Sequence, residues 1–318
     1  MSAPLPSSLQ ENAGLAFLGE PAWPAARLTA RQAKLLASAQ NPSGRPNSDV
    51  LRAFIGTAAG QTTEQLQIDF PLHFTEQEAA LYREPFNKLN GAQSSSEANE
   101  SGRSGGRPLR GDGQDKYRVC SSKQQRRLPA PTHGARSATG TIPRARRPVA
   151  TSDSQAAEAN QAPAWWINPH VQPELRTALA RLERYLATPL TGEIPQWDWI
   201  DSHILPDESL LAVARDDDFT HGVLQSRFFT LWWRHFSAPL SPPELIHAFP
   251  FPWLPATLLS ALTRTQEEQR HAIARAARAG ESEPIDSAVA AAYGWSNDLG
   301  DDETIARLQQ LNRERISR

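Results

Sequence analysis

The stretch RDDDFTHGVLQSRFFTLWWRHF, Arg215 to Phe236, decides how the rest of the chain is read. It holds three consecutive aspartates, two histidines, three arginines and two adjacent tryptophans. Just before it, SLLAVA has the short apolar run of a strand, and after Asp218 the apolar period changes from 2 to 3.6. Val223 and Arg227 then fall on one helical line, and Leu224, Phe228, Leu231 and His235 on another, with Trp232 at its edge. A strand feeding an amphipathic helix puts Asp216, Asp217 and Asp218 at the helix start. There, carboxylates accept free backbone N–H groups and interact favourably with the positive end of the helix. Capping is the expected role.

Catalytic alternatives need more than carboxylates. A metal-dependent enzyme could use Asp216–Asp218 with His221, and His203 nearby. A nuclease of the carboxylate-and-lysine type would also need a lysine to orient the attacking water. The four lysines are Lys34, Lys88, Lys116 and Lys123, and none follows the aspartates. Trp232 and Trp233 point in neighbouring directions on a helix, so at least one belongs to the core. Arg215, Arg227 and Arg234 are the candidates for contacts to DNA phosphates or base edges.

Working outward, QWDWI and SLLAVA read as two strands joined by SHILPDE, whose Pro206-Asp207 favours antiparallel pairing. PELRTALARLERYLA carries Leu175, Leu179, Leu182 and Leu186 at helical spacing. AFPFPW (248–253) must be extended because of its alternating prolines. Residues 255–279 and two segments split by Gly294 and Gly300 form a helical tail over 255–318. Toward the N-terminus, GLAFLG is a short strand. LTARQAKLLASA is a helix capped by Thr29 with Gln32 in the box position, Leu35 and Leu36 facing inward. QLQIDFPL is a strand with Leu66, Ile68 and Phe70 on one face, and Thr75 with Glu78 opens another helix.

The chain has 318 residues, 26 of them proline, and a formal charge of -2. That charge is unevenly spread. Residues 101–150 carry 12 basic and 2 acidic residues, or +10, which leaves -12 for the rest. The expected organisation is a polar tail over 1–8, a first folded part over 9–87, a disordered basic insert over 88–161, a second folded part over 162–254, and the tail. The insert is rich in Ser, Gly, Pro, Ala and Arg, a composition that cannot offset its ordering entropy by burial. Cys120, the single cysteine, excludes an intrachain disulfide and a cysteine-rich zinc site. The chain lacks an 18-residue apolar run and a signal-peptide core, so no membrane partner and a cytoplasmic location are expected.

Cofactor motifs are missing. Gly105-Gly106 and Gly111-x-Gly113 have no strand before them, and a Walker loop is absent. An amino-methylating tetrad of the Asn/Asp-Pro-Pro-aromatic type finds only Ser241-Pro-Pro-Glu244, without the acceptor or the ring.

Five segments keep a recognisable order: residues 14–56, IDFPLHFTEQEAALYREPF (68–86), APAWW through ATP (162–189), SLLAVARDDDFTHGVLQSRFFTLWW (209–233) and FPFPW (249–253). Their succession resembles the C-terminal part of large MmeI-like type II restriction-modification proteins, which are adenine-specific DNA methyltransferases often fused to an endonuclease. AAYGWSNDLGDDETIARLQQLNRER (291–315) is similar to the terminal helical piece of some members. The family pattern GVLHSRxHxLW matches at Gly222, Val223, Leu224, Ser226, Arg227, Leu231 and Trp232, and departs at Gln225 and Phe229.

The resemblance implies a mixed α+β target-recognition-like domain, with antiparallel strands and amphipathic helices, that reads double-stranded DNA. It also implies S-adenosylmethionine for a methyltransferase domain that this chain does not contain. The expected function is therefore the DNA target-recognition portion of such a system, a fragment inactive alone that works with a separate methyltransferase subunit. The competing reading is a protein-interaction module built on AFPFPW and the C-terminal helices. Family-like sequence stops at Lys88 and resumes at Ala162, which suggests that compensating frameshifts produced the insert.

Overall fold

The computed structural model describes residues 5–58, 61–92, 164–253 and 262–317. The basic insert, Cys120 and the glycine pairs at 105–113 lie outside them. The described residues belong to one compact mixed α+β unit.

A four-stranded antiparallel sheet runs in the order β1-β7-β4-β5. Its strands are β1 (Ala16–Leu18), β4 (Arg184–Pro189), β5 (Asp198–Asp201) and β7 (Leu210–Val213). A second sheet pairs β2 (Leu51–Ala58) with β3 (Gln61–Ile68) antiparallel, and β2 with β6 (Leu205–Pro206) parallel. Both sheets join strands from either side of the insert. GLAFLG supplies β1, which pairs with β7 through Ala16↔Val213 and Leu18↔Leu211.

The four-stranded sheet is covered on both faces, and its period-2 alternation divides the core. Leu186, Leu211 and Val213 face one cluster, while Tyr185, Ala187, Leu210 and Ala212 face another with Phe54, Leu175 and Leu179. That is why all four residues of β7 are buried. Over the first face lie α4 (Asp218–Gln225) and α5 (Arg227–Phe236), which contribute Val223, Leu224, Phe228, Phe229 and Trp232. Each such side chain removed from water contributes roughly 1.5–3 kcal/mol.

Pairing is where the sequence reading fails. The helix α3 ends at Leu179 (Pro173–Leu179), and Leu186 lies in β4. Leucines at spacings of four and three mimic a helix. β4, however, is hydrogen-bonded by β5 on one side and β7 on the other, and that tertiary gain overrides the local period. For the same reason QWDWI and SLLAVA do not pair with each other, because β4 lies between them. The helix after Asp218 is also broken. Ser226 is extended (φ -68°, ψ 158°), its hydroxyl donates to the Val223 carbonyl at 2.6 Å, and the Asp286 carboxylate accepts the Arg227 N–H at 2.8 Å.

The C-terminal helices form part of the core rather than a tail. They are α7 (Arg264–Ala279), α8 (Ser282–Tyr293) and α9 (Asp301–Ile316), preceded by the short α6 (Pro242–Ala248). Ile273, Ala276, Ile285, Val289 and Leu308 join the cluster under α4 and α5. Gly222 lets α7 approach α4, since a Cβ there would lie 2.6 Å from Ile273 Cγ2. Asn312, fully buried in α9, donates to the carbonyls of Ser7 (2.8 Å) and Ala248 (2.7 Å). Arg315 reaches Glu11 and the Phe251 carbonyl.

A third cluster fills the N-terminal part. α1 (Ala30–Ser38) and α2 (Glu76–Ala80) both start with a capping box, Thr29 with Gln32 and Thr75 with Glu78. In α1, Ala33 and Leu36 face the core, whereas Leu35 is 60% exposed. Consecutive helical residues are separated by about 100°, so only one of the two leucines can point inward. Ile68 and Phe70 are buried as expected, with Leu66 half-buried. Residues 83–92 are helical, and Leu89 is buried. Order therefore extends past the expected boundary at Lys88.

One buried ion network ties this part to the rest. The Arg176 guanidinium donates to both oxygens of Glu20 (2.6 and 2.7 Å) and both of Asp69 (2.7 and 3.0 Å). Burial disfavours its charge, but the hydrogen bonds to Glu20 and Asp69 outweigh that and push the guanidinium above its usual range.

Candidate nucleic-acid interface

The aspartate run ends β7 and opens α4. Asp217 is the N-cap: its carboxylate accepts the Thr220 N–H at 2.8 Å and also the Arg215 Nε at 3.0 Å. Asp218 accepts from Arg184 at 2.9 Å and from Arg278 at 2.5 Å. The Arg184 guanidinium lies over Trp199, 3.8 Å from the ring centroid. Trp199 in turn meets the His221 ring edge-on. His221, on the buried face of α4, is held below the ordinary imidazole value, chiefly by burial. The Asp217 and Asp218 carboxylates are thus committed to a helix end and to arginines, whereas Asp216, expected to share the capping, is exposed and caps nothing. Among the described residues, no group of three or more His, Cys, Asp or Glu could hold a metal ion. His203 lies apart, bonded to Asp201 on an exposed turn.

The three arginines singled out in the sequence occupy different settings. Arg215 is held by Asp217. Arg227 is a tie between helices. Beyond its N–H bond to Asp286, its guanidinium donates to the carbonyls of Leu299 (2.9 Å) and Asn297 (3.2 Å) and lies 3.5 Å from Asp301. Burial pushes the Asp286 carboxyl up, against the opposing pull of Arg227. Arg234, on the last turn of α5, is exposed. Trp232 and Trp233 are both buried, and Trp232 donates its indole N–H to the Leu245 carbonyl. Neither is available to stack on a base.

Two further motifs resolve into structure. Ser241-Pro-Pro-Glu244 is a helix start, with Ser241 and Glu244 forming the capping box of α6. In AFPFPW, Phe249 and Phe251 are buried against Phe229, Trp232 and each other, and Trp253 stacks on Phe219. Those rings hold the core together and offer no exposed anchor to a partner protein. Among the described residues, Gly19 and Gly56 lie tightly against Asp207, which a Cβ at either would overlap.

A different cationic surface emerges at the start of α1. Residues 26–28 flank β3, with Leu28 N–H donating to the Leu66 carbonyl and Ile68 N–H to the Ala26 carbonyl. Where this segment turns into α1, an open groove lies between the helix start and β3, lined by Arg27, Thr29, Ala30, Gln32, Glu64 and Gln65. Arg27, Arg31 and Lys34 are exposed, and among the described residues their side chains have no hydrogen-bond or ion-pair partner. Lys88 adds a fourth charge behind them, its ammonium donating to the Ala25 carbonyl and held below the usual lysine value by burial. Across the groove stand Glu64 and Gln65, and the β3 residues from Gln61 to Gln65 are all exposed. The signal was present in the sequence: RLTARQAK carries three cations and no acid.

No family model matches the chain, and no curated protein matches it. A solved structure, that of the Type IIL restriction-modification enzyme MmeI in complex with DNA, aligns with 99% of this chain at 13% identity and a TM-score of 0.48. The aligned region covers 36% of that protein, so this chain spans about a third of its length. A likeness at that level carries no inference about what this chain does. No helix among the described residues is long and apolar enough to cross a membrane.

Proposed function

We propose that the chain is the DNA target-recognition portion of a type II restriction-modification or DNA adenine methyltransferase system. It works with a separate polypeptide that supplies methyl transfer and binds S-adenosylmethionine. The observation that carries this reading is the ordered succession of family-like segments, from GLAFLG through SLLAVARDDDFTHGVLQSRFFTLWW to FPFPW. These segments form interlocking parts of one body: β1 pairs with β7, and α4 and α5 seal the sheet with Phe249 and Phe251. Arg234, exposed on the last turn of α5, would touch a phosphate directly. Arg215 and Arg227 act by holding α4 and α5 in position.

The test is duplex binding followed by fluorescence anisotropy across a salt series. Phosphate contacts release counterions, so log K falls linearly with log salt, by about 0.9 per phosphate contacted. Absence of binding at low salt removes autonomous DNA recognition.

A further inference from the structure

We propose that the groove between the start of α1 and β3 seats one strand of a DNA duplex. Arg27, Arg31 and Lys34 hold its phosphates, and Glu64 and Gln65 meet base edges. The assignment rests on the DNA-recognition reading and locates it on the molecule.

Charge neutralisation singles this surface out. Outside the insert the chain is acidic, and its two longest helices have most of their cations paired with carboxylates, Arg275 and Arg313 excepted. Arg264 pairs with Glu268, Arg270 with Glu267, and Arg307 with Glu303. Arg176, Arg184, Arg215 and Arg315 are bound to carboxylates as well. α1 has no acid in its first turn and none in its length. Three cations within eight residues, left unneutralised in an acidic body, are complementary to a polyanion. The helix start adds to this, because Thr29 and Gln32 satisfy only part of the free N–H groups and the dipole end is positive.

The opposite wall has a different chemistry. Glu64 and Gln65 on that wall, and the exposed Gln61, Thr62 and Thr63 beyond them, where β3 and β2 form a two-stranded ribbon, offer carboxylate, amide and hydroxyl groups. A ribbon of that kind fits the major groove, about 12 Å wide. A carboxylate is repelled by phosphate but accepts from the amino group of cytosine, and glutamine pairs with adenine. Glu64 facing a cationic wall across one groove therefore separates a phosphate side from a base side.

The experiment uses the full chain and two charge-matched variants. Arg27→Ala/Arg31→Ala/Lys34→Ala removes the proposed seat. Arg181→Ala/Arg275→Ala/Arg313→Ala removes three exposed, unpaired cations elsewhere. The seat variant is expected to lower the salt slope by about 2.7, at about 0.9 per lost phosphate contact, while the control changes it by less than about 0.9. Equal losses in both variants, or none in the first, overturn the assignment while leaving DNA recognition standing. If the parent chain binds phosphatidylserine vesicles but no duplex, both readings fall. Glu64→Ala is expected to change the motif recovered from a randomised duplex pool at an unchanged salt slope. An unchanged motif overturns the base-side assignment. Alanine is a strong helix former, so the seat variant keeps α1, which circular dichroism checks.

Discussion

Replacing Arg176 with methionine should be among the most damaging changes available to a single side chain. The guanidinium makes four hydrogen bonds to Glu20 and Asp69, and both carboxylates are buried, Glu20 completely. Methionine keeps much of the volume and none of the charge. Glu20 would retain the Gln172 N–H, and Asp69 would retain Arg52 at 3.7 Å. Breaking a buried pair by removing one partner costs about 3–5 kcal/mol, because the remaining charge is stranded. Two carboxylates share this arginine, which puts the expected loss at the upper end of that range. Urea unfolding followed by tryptophan fluorescence measures it, with the midpoint read at constant m. Adding Glu20→Gln to Arg176→Met should recover part of the loss, giving a coupling energy of roughly 1–3 kcal/mol in a double-mutant cycle. A loss under about 1 kcal/mol, or no coupling, would refute the view that this network joins the two sides of the chain.

Other perturbations test separate parts of the fold. Asp217→Ala removes the cap of α4 and should cost about 0.5–2 kcal/mol by the same titration, whereas Asp216→Ala, at an exposed position, should cost less than about 0.5. Phe251→Ala should cost about 3–5 kcal/mol, and a smaller loss would mean that FPFPW is not core. His221 and His247 are both held below the ordinary imidazole value, chiefly by burial. The unfolded chain therefore takes up protons first, so stability is full above about pH 6.5 and falls as pH drops below it. Substituting both with glutamine should flatten that fall in urea midpoints measured from pH 7.5 to 5.5, and an unchanged slope would remove them as its cause.

The parts of the fold legible in the sequence were those decided locally. Thr29 with Gln32 and Thr75 with Glu78 are capping boxes within four residues, and Gly294 ends its helix in the left-handed conformation (φ 72°). β4 was hidden because leucines at helical spacing also suit a strand whose two faces are both buried. The break at Ser226 was hidden because Asp286, which holds the Arg227 N–H, lies 59 residues further on. The same distance effect governs the candidate site. Sequence shows where cations are, but which are neutralised depends on remote partners, as Arg278 and Arg184 are by Asp218. Arg215 and Arg227 are bound by partners near and far in sequence, whereas among the described residues the side chains of Arg27, Arg31 and Lys34 have none.

Selection from a randomised duplex pool by the purified chain tests target recognition most directly. The account predicts a recovered motif a few base pairs long, each mismatch in it costing about 1–3 kcal/mol of binding. A pool that stays random after repeated rounds, while the chain still binds DNA in a salt-dependent way, would show a nonspecific polycation and contradict it.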